Sequence, residues 1–345
     1  MVNLFPHLIF FFWLVTTTAL SAFLVKTVSL IGVMDHPVER SSHHVPIPKG
    51  GGIGIITAFT IGTLVIFPLL NYSYPLSILA LLIATVIMSV VSWFDDVKQW
   101  PAFIKLLTQF IASFILFLCI PSRVLLQHSN TLLIIFLFLW PIYLMNALNF
   151  MDGLNGLASG VAALTCIFFS FSSTQIDFNF IALALFCGLM GFMPYNFPKA
   201  KIFMSDVGSQ SCGLILASLA LSPLNQMTTF SVSNVPPSTL LVFCLLFGIL
   251  YDATFTLCRR FINKDSLLKA HRSHLYQIAR RSSLPASLIT LLHWFFCIWG
   301  GILALNIPHQ SILDLAILFL GLLTPQILWT FYVVNRMKNS NIKKW

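Results

Sequence analysis

Charged residues are scarce in this chain of 345 residues. Asp, Glu, Lys and Arg make up 8% of the sequence, hydrophobic residues make up 58%, and the mean hydropathy is +0.90. A soluble domain carries about 25% charged residues, so this composition excludes an ordinary soluble enzyme. The chain also lacks an internal repeat, a low-complexity tract and any polar segment long enough to form a separate soluble domain. We therefore expect a single membrane domain over residues 1–345.

Paired cysteines are absent as well. The seven cysteines never form a CxxC pair and stand singly in or near apolar runs. This spacing argues against a zinc or disulfide framework, and we interpret these residues as small hydrophobic side chains. No cation precedes Lys26, whereas a signal peptide begins with a basic region. We therefore expect the first apolar run to be retained as a transmembrane helix.

Long apolar runs fill most of the sequence. A helix crosses a bilayer with roughly 17–25 apolar residues, and eleven runs reach or approach that length. They cover residues 4–25, 51–70, 75–93, 103–120, 131–148, 157–173, 178–195, 208–222, 238–258, 285–306 and 312–334, of which 208–222 is the shortest. The sequence therefore predicts an all-α polytopic membrane protein with about eleven transmembrane helices.

The cations are distributed unevenly between the two sides of these spans. With eleven crossings, eighteen of the nineteen Lys and Arg residues fall on one side, and only Arg123 falls on the other. Cytoplasmic loops carry an excess of Lys and Arg, which predicts that the N-terminus is outside and the C-terminus is cytoplasmic. The net charge of +9 is then a cytoplasmic excess that also attracts anionic membrane lipids. No motif supports a nucleic-acid partner.

Polar residues concentrate in five cytoplasmic segments, of which the first is DHPVERSSHHVPIPKGGG. It contains Lys49 and ends with three glycines at the start of a predicted helix. The unpaired N–H groups of a helix start suit an anion, such as a phosphate. The alternative is a flexible connection into the span.

The second segment, WFDDVKQWPAFIK, contains the adjacent acids Asp95 and Asp96. Two carboxylates at a membrane boundary repel each other and are costly to desolvate, so they need a compensating cation or a function. Lys105 lies just inside the next span, where a solvated loop residue is not expected. Its alternative is a lysine that extends to the interface by snorkelling.

The third segment, NFMDGLNGL, begins at Asn149 and interrupts two apolar runs. Asn149 and Asp152 are three residues apart and share one face of a helical turn, which Asn155 continues. Gly153 and Gly156 permit close approach of another backbone or a ligand. Three polar groups towards lipid would be costly, so we expect them to face a water-filled cavity. A hydrogen-bonded seam between helices is the alternative, and an aspartate is a poor choice for it.

The last two segments add an acid and a basic cluster. In PYNFPKAKIFMSDVGSQSCG, Asp206 opens a predicted helix, where it could also act as a simple N-cap. In AHRSHLYQ, His271 and His274 flank Arg272 and could donate hydrogen bonds to an anion. A zinc site is the alternative for the two histidines, but no third or fourth ligand is obvious nearby.

These segments place carboxylates, an asparagine, lysines, an arginine and histidines on one membrane face. Oxygen ligands of this kind suit Mg²⁺ or Mn²⁺, and Mg²⁺ often combines one or two carboxylates with substrate phosphates. The residues therefore indicate phosphoryl transfer at a membrane surface. A transporter or lipid flippase remains an alternative, and it would place acids near the bilayer midplane. An intramembrane aspartyl protease would place its two aspartates inside two different spans.

In this order, the segments resemble the signature loops of the polyprenyl-phosphate N-acetylhexosamine-1-phosphate transferases, also called glycosyltransferase family 4. The resemblance extends over residues 35–277. It implies transfer of a HexNAc-1-phosphate from a UDP-HexNAc to undecaprenyl or another polyprenyl phosphate, which gives a polyprenyl-diphosphate-sugar and UMP. It also implies a bacterial inner membrane and the start of a surface polysaccharide, such as the O-antigen of lipopolysaccharide, or of another wall glycan. A homodimer is left open.

The resemblance further implies roles for individual residues. The metal ligands for Mg²⁺ or Mn²⁺ would be Asp206 and Asn149. The catalytic residues would be Asp95, Asp96, Asp152, His271 and His274. The substrate would be bound by Lys49, Lys105, Asn155 and Arg272.

Two details qualify these implied roles. The acidic pair would supply a base, but a lipid phosphate with a second pKa of about 6 is already largely ionised. Orienting the lipid head or the metal is therefore at least as good a role for Asp95. The last loop reads HRSHLYQ and lacks the adjacent histidines of the peptidoglycan branch, which disfavours a MurNAc-pentapeptide donor. GlcNAc and other 2-acetamido sugars both remain open.

Overall fold

The computed structural model describes residues 4–37, 45–121, 131–225, 235–266, 271–309 and 311–340. Within these ranges most residues are helical, and each predicted span overlaps one long helix. The helices are α1 (Leu4–Ile31), α2 (Gly51–Leu69), α3 (Leu76–Lys98), α4 (Ala102–Phe117), α5 (Thr131–Met151), α6 (Leu157–Ser172), α7 (Ile176–Asn196), α8 (Ser205–Leu221), α9 (Pro237–Ile262), α10 (Leu275–Arg281), α11 (Ala286–Asn306) and α12 (Ile312–Lys338). Two short strands, β1 (Met34–Asp35) and β2 (Ile47–Pro48), pair antiparallel.

Nine helices in the described part of the chain are long and apolar enough to cross a membrane. Two further apolar helices, α4 and α6, have 16 residues each. Apolar runs become helices in a bilayer because every backbone polar group must find its partner within the segment. A polytopic helical membrane protein, as predicted, is therefore the observed fold class.

The structure differs from the predicted boundaries where helices continue into polar sequence. Helix α3 runs to Lys98, so Asp95 and Asp96 lie in its last turn and not in a loop. It ends there because Gln99 adopts a left-handed conformation and Pro101 follows shortly after. The β1–β2 pair and the short helix α10 were not predicted.

Helix α8, predicted with the shortest apolar run, lies in the centre of the bundle. Nearly all of its residues are buried, although it is less apolar than most of the other spans. Its small residues let neighbouring helices approach: a Cβ on Gly208 would lie 2.9 Å from Gly52 Cα in α2, and one on Gly213 would lie 2.6 Å from Met145 Cα in α5. Because protein and not lipid surrounds α8, its polar side chains are tolerated. This helix carries Asp206 in its first turn.

Candidate active site

Lys105 joins two of the predicted acids. It lies in the first turn of α4, and its Nζ is 3.1 Å from Asp95 Oδ2 and donates to Asp206 Oδ2. The side chain is only 28% exposed. The ammonium is therefore paired with two carboxylates from different helices.

Asp206 is the centre of this cluster. Its Oδ1 accepts a hydrogen bond of 2.7 Å from Asn149 Nδ2, which also donates to Ser209 Oγ at 2.9 Å. Gln210 Nε2 donates to the other carboxylate oxygen at 3.3 Å. Since no side-chain cap precedes α8 and the carboxylate is engaged by side chains, the simple N-cap alternative is wrong. Asn149 and Asp206 lie close enough to bind one ion together.

The second acid of the pair meets a different lysine. Lys49 Nζ donates to the backbone oxygen of Asp96 at 2.8 Å and lies 3.5 Å from Asp96 Oδ1. The loop that carries Lys49 is held in place because Phe203 N donates to Pro48 O at 2.8 Å. Asp96 Oδ2 is buried and makes no hydrogen bond within the described residues. A buried carboxylate oxygen without a donor is well suited to a cation.

The glycine-rich start of α2 does not have the predicted anion-binding form. Gly51 N donates to Phe203 O, and Gly52 N donates to Met204 O, both at 2.9 Å. These first N–H groups of the helix are therefore already satisfied by backbone carbonyls. The anion site predicted there is wrong, and the glycines serve close packing against the loop before α8.

Asp152 lies in the turn after α5 and feels the charges of the cluster. Burial raises its pKa well above the ordinary value of 3.8, and the carboxylates of Asp206 and Asp96 raise it further. The three acids are therefore near enough to repel one another. A divalent cation among them would relieve that repulsion.

The donor set fits one kind of metal site. No group of three or more His, Cys, Asp or Glu side chains that could hold a metal exists among the described residues. Asp206 and Asn149, with the buried Asp96 carboxylate near enough to feel the charge of Asp206, suit Mg²⁺ or Mn²⁺ that also binds substrate phosphates.

Asn155 is separated from the face that carries Asn149. Helix α5 ends at Met151, and residues 152–156 form turns that close with Gly156 at a φ of 73°. Asn155 Nδ2 donates to Pro198 O at 3.1 Å. The predicted single polar face is therefore wrong for Asn155, which instead lines the loop that follows α7.

The last loop packs against the NFMDGLNGL segment. Tyr276 Oη donates to Phe150 O at 2.8 Å, and a Cβ on Gly153 would lie 2.1 Å from that Oη. Only glycine leaves room for this contact. His271 stacks on His274 with ring centroids 5.0 Å apart. The two segments therefore form one continuous wall.

His271 is neutral at physiological pH. Burial lowers its pKa from 6.5 to about 4, with further lowering by the neighbouring His274 and by the guanidinium groups of Arg260 and Arg259. Its Nδ1 lies 2.9 Å from Ser273 Oγ. The ring therefore offers a polar nitrogen and not a charge. Arg272 lies beside it, partly exposed, with its backbone oxygen bonded to Arg281 Nη1 at 3.3 Å.

Asp252, which lies outside the five polar segments of the sequence, is a major partner of the last loop. Its carboxylate, inside α9, lies 3.1 Å from His274 Nδ1 and accepts from the backbone N–H groups of Leu275 and Tyr276. The side chain of His274 is only 2% exposed. An ionisable residue inside an apolar run is the sequence signal that marks Asp252.

Known proteins resemble this chain over most of its length. A family model described as Glycosyl transferase family 4 matches residues 78–223, which include the acidic pair and Asp206. A probable undecaprenyl-phosphate N-acetylglucosaminyl 1-phosphate transferase of Bacillus subtilis (strain 168) is 25% identical over 319 residues, covering 88% of this chain and 86% of the relative. An undecaprenyl-phosphate alpha-N-acetylglucosaminyl 1-phosphate transferase of Thermotoga maritima is 26% identical, covering 95% and 96%.

A third relative is named for a different transferred group. A phospho-N-acetylmuramoyl-pentapeptide-transferase of Staphylococcus epidermidis (strain ATCC 12228) is 29% identical over 206 residues, covering 52% of this chain and 63% of the relative. The match to the N-acetylglucosaminyl enzymes is therefore the more extensive one. The family model, the long matches and the ordered polar segments agree, and together they show that the chain is similar to the glycosyl transferase family 4 enzymes.

Proposed function

We propose that this protein transfers a HexNAc-1-phosphate from a UDP-HexNAc to undecaprenyl or another polyprenyl phosphate and releases UMP. The observation that carries the proposal is the contact of Lys105 with Asp95 and Asp206, next to Asn149. The two long matches support the lipid substrate, since their names specify undecaprenyl phosphate. The donor nucleotide and the sugar belong to the proposal.

The charges of the pocket match the main barrier of this reaction. Two like unit charges about 5 Å apart repel by roughly 3 kcal/mol at an effective dielectric constant of 20, and both substrates are anions. Lys49 and Lys105 are positioned to attract phosphate oxygens and so to reduce this repulsion. Asp206 and Asn149 would hold Mg²⁺ or Mn²⁺, which supplies charge neutralisation at the diphosphate.

The acidic pair then has two separate tasks. Asp95 is ion-paired with Lys105, which suits it to orienting the ammonium towards a phosphate and not to taking a proton. Asp96 has a buried Oδ2, and its carboxyl group feels the charge of Asp206. Asp152 adds negative charge beside them, and His271, Arg272 and Asn155 complete the wall that would meet the donor.

The placement of the acids favours an enzyme at the membrane surface over a transporter. Asp95 and Asp96 lie in the last turn of α3, Asp206 lies in the first turn of α8, and Asp152 lies in a turn. A transport path would place such acids near the midplane of the bilayer. Adjacent aspartates in one helix also do not have the arrangement of an aspartyl protease.

The proposal includes the membrane arrangement. We infer eleven crossings, with α4 and α6 as short spans, the N-terminus outside, and the pocket facing the cytoplasm of a bacterium at its inner membrane. The contacts that join the predicted cytoplasmic segments support placing them on one side of the membrane, and their excess of Lys and Arg assigns that side to the cytoplasm. A homodimer stays a prediction.

The decisive experiment measures UMP release. Purified protein with Mg²⁺, undecaprenyl phosphate and a panel of UDP-HexNAc donors is expected to release UMP, and the best donor identifies the sugar. Asp206→Asn should lower turnover by about 100-fold or more, because loss of one group that stabilises transition-state charge typically costs about 10²–10³.

Asp177→Asn is the matched control. Asp177 lies in the first turn of α7, at the end of that helix roughly 28 Å from Asn196 and the pocket. It should leave turnover unchanged, and thermal unfolding should show that both variants are folded. Full turnover in the Asp206→Asn protein would refute the assignment of this carboxylate, and no UMP with any donor would refute the reaction.

A further inference from the structure

Asp252 is a buried carboxylate that the reaction itself does not require. It is 1% exposed and lies well inside α9. Its Oδ1 accepts from Leu275 N at 3.0 Å and Thr256 Oγ1 at 3.2 Å, and its Oδ2 accepts from Tyr276 N at 3.1 Å. A buried carboxylate is costly unless its oxygens are satisfied, and here they are satisfied mainly by the last loop.

These bonds determine how His274 is held. Oδ1 of Asp252 already accepts from an N–H and an O–H, and an ionised carboxylate can only accept. His274 Nδ1, 3.1 Å from the same oxygen, must therefore carry the proton and donate it. The ring is 2% exposed and lies against the rings of His271, Phe150 and Tyr276. His274 is thus enclosed by protein.

We propose that Asp252 and His274 are a positioning pair for the last loop and that His274 acts through its neighbours without contacting the substrate. The pair fixes the ring on which His271 stacks, with centroids 5.0 Å apart. Through the backbone of Tyr276 it also fixes the hydroxyl that donates to Phe150 O, two residues before Asp152. In terms of catalysis this inference rests on the proposed function, and it differs from the catalytic role that the resemblance implies for His274.

Two substitutions of His274 distinguish the role of its Nδ1 atom from that of its Nε2 atom. The amide nitrogen of asparagine reaches about where Nδ1 lies, whereas that of glutamine reaches about where Nε2 lies. His274→Asn keeps the donor to Asp252 and should retain turnover within about tenfold of wild type, a change of about 1.4 kcal/mol. His274→Gln loses that donor and should fall by a further factor of about ten or more.

A second measurement does not depend on turnover. In hydrogen–deuterium exchange, the backbone amides of Leu275 and Tyr276 should stay protected in the His274→Asn protein and exchange faster in the His274→Gln protein. Thr256→Val, a nearly isosteric change, removes one donor to Asp252. This substitution should mildly increase the exchange rate of the same two amides. It provides the exchange test if the histidine variants do not fold.

The opposite order of the two histidine variants would overturn the proposal. If His274→Gln is the more active protein, or if His274→Asn loses activity while the loop stays protected, then Nε2 meets the substrate directly. If the two amides stay protected in every variant, Asp252 does not hold the loop. Should wild type release no UMP, the exchange result still decides the positioning role, while the proposed reaction fails separately.

Discussion

At the scale of single residues, the pocket is a set of acids whose charges are only partly offset. Lys105 meets Asp95 and Asp206, and Lys49 meets Asp96. Asp152 receives the fields of two other acids, which raise its pKa along with burial. Such a pocket attracts cations. Asp152, which the neighbouring carboxylates repel, offers the clearest test of this charge arrangement.

Asp152→Asn should stabilise the metal-free protein increasingly as pH rises. The folded protein binds a proton at Asp152 more tightly than the unfolded chain does, since its folded pKa lies well above 3.8. The stability from this group is therefore fully present below about pH 3.8 and is lost as pH rises through the folded pKa. Asparagine cannot ionise, so the Asp152→Asn protein does not lose this folding stability as pH rises.

Thermal unfolding between pH 5 and pH 8, without divalent ions, measures the effect. The unfolding temperature of the Asp152→Asn protein should exceed that of wild type by a margin that widens with pH. Because both proteins share every other titrating group, including His271, the difference reports Asp152 together with its coupling to Asp206 and Asp96. Parallel curves for the two proteins would contradict the raised pKa.

Residue spacing in the sequence identified some of the site residues but not their partners. Adjacent acids, a lysine inside an apolar run and an interrupted span marked Asp95, Asp96, Lys105 and Asn149 as unusual, because charge in a membrane needs a partner. The partners themselves come from distant parts of the chain, and residue spacing carries no information about which lysine meets which acid. Asp252 is also an ionisable residue inside an apolar run, but spacing does not identify its partner, His274, which lies 22 residues further on.

At the scale of the helices, the contact between α2 and α8 positions the metal-binding end of the pocket. A Cβ on Gly52 would lie 2.1 Å from Gly208 N and 2.4 Å from Gly208 Cα. Both are backbone atoms, which cannot move without shifting a helix. Gly52→Ala should therefore displace the start of α8, including Asp206, and cost about 1–3 kcal/mol of stability through overpacking.

Gly321→Ala is the control for this change. Its Cβ would meet the end of the Leu303 side chain at 2.9 Å, which can rotate away. Both substitutions replace a helical glycine by alanine and gain similar helix propensity. The rate of UMP release and the unfolding temperature should both be lower in Gly52→Ala than in wild type. Both quantities should stay near wild type in Gly321→Ala. Equal behaviour of the two variants would show that the α2–α8 contact does not matter for the site.

Helix boundaries were predicted well where the apolar sequence begins or ends abruptly, as at Gly51 and Asn306. They were missed where a helix continues into polar residues, because α3 keeps its backbone hydrogen bonds through Asp95 and Asp96 once lysines offset their charges. The central helix α8 was underestimated for the opposite reason. Its low hydrophobicity is tolerated because other helices surround it.

At the scale of the whole molecule, the inferred orientation can be tested by cysteine labelling. Single cysteines at Thr174, before α7, and Lys199, after α7, lie at exposed positions in the two loops that α7 connects. The native Cys119 and Cys258, the two that are not buried, would be replaced by serine. In right-side-out vesicles, an impermeant maleimide should label Thr174→Cys and not Lys199→Cys.

Permeabilised vesicles provide the control, since both positions should then react. Labelling of Lys199→Cys in sealed vesicles would reverse the orientation and place the pocket outside. Equal labelling of both positions in sealed vesicles would mean that α7 does not cross the membrane, and the count of eleven would be wrong.

Composition and the lengths of the apolar runs were sufficient to establish a helical membrane protein and the approximate position of its long helices, because a bilayer permits few other structures. The order of the polar segments was sufficient to indicate the family. The pairing of Lys105 with Asp206, the closed start of α2 and the bond between Asp252 and His274 depend on helices that meet from distant parts of the chain. Those contacts arise from close packing in three dimensions, which no local pattern of residues encodes.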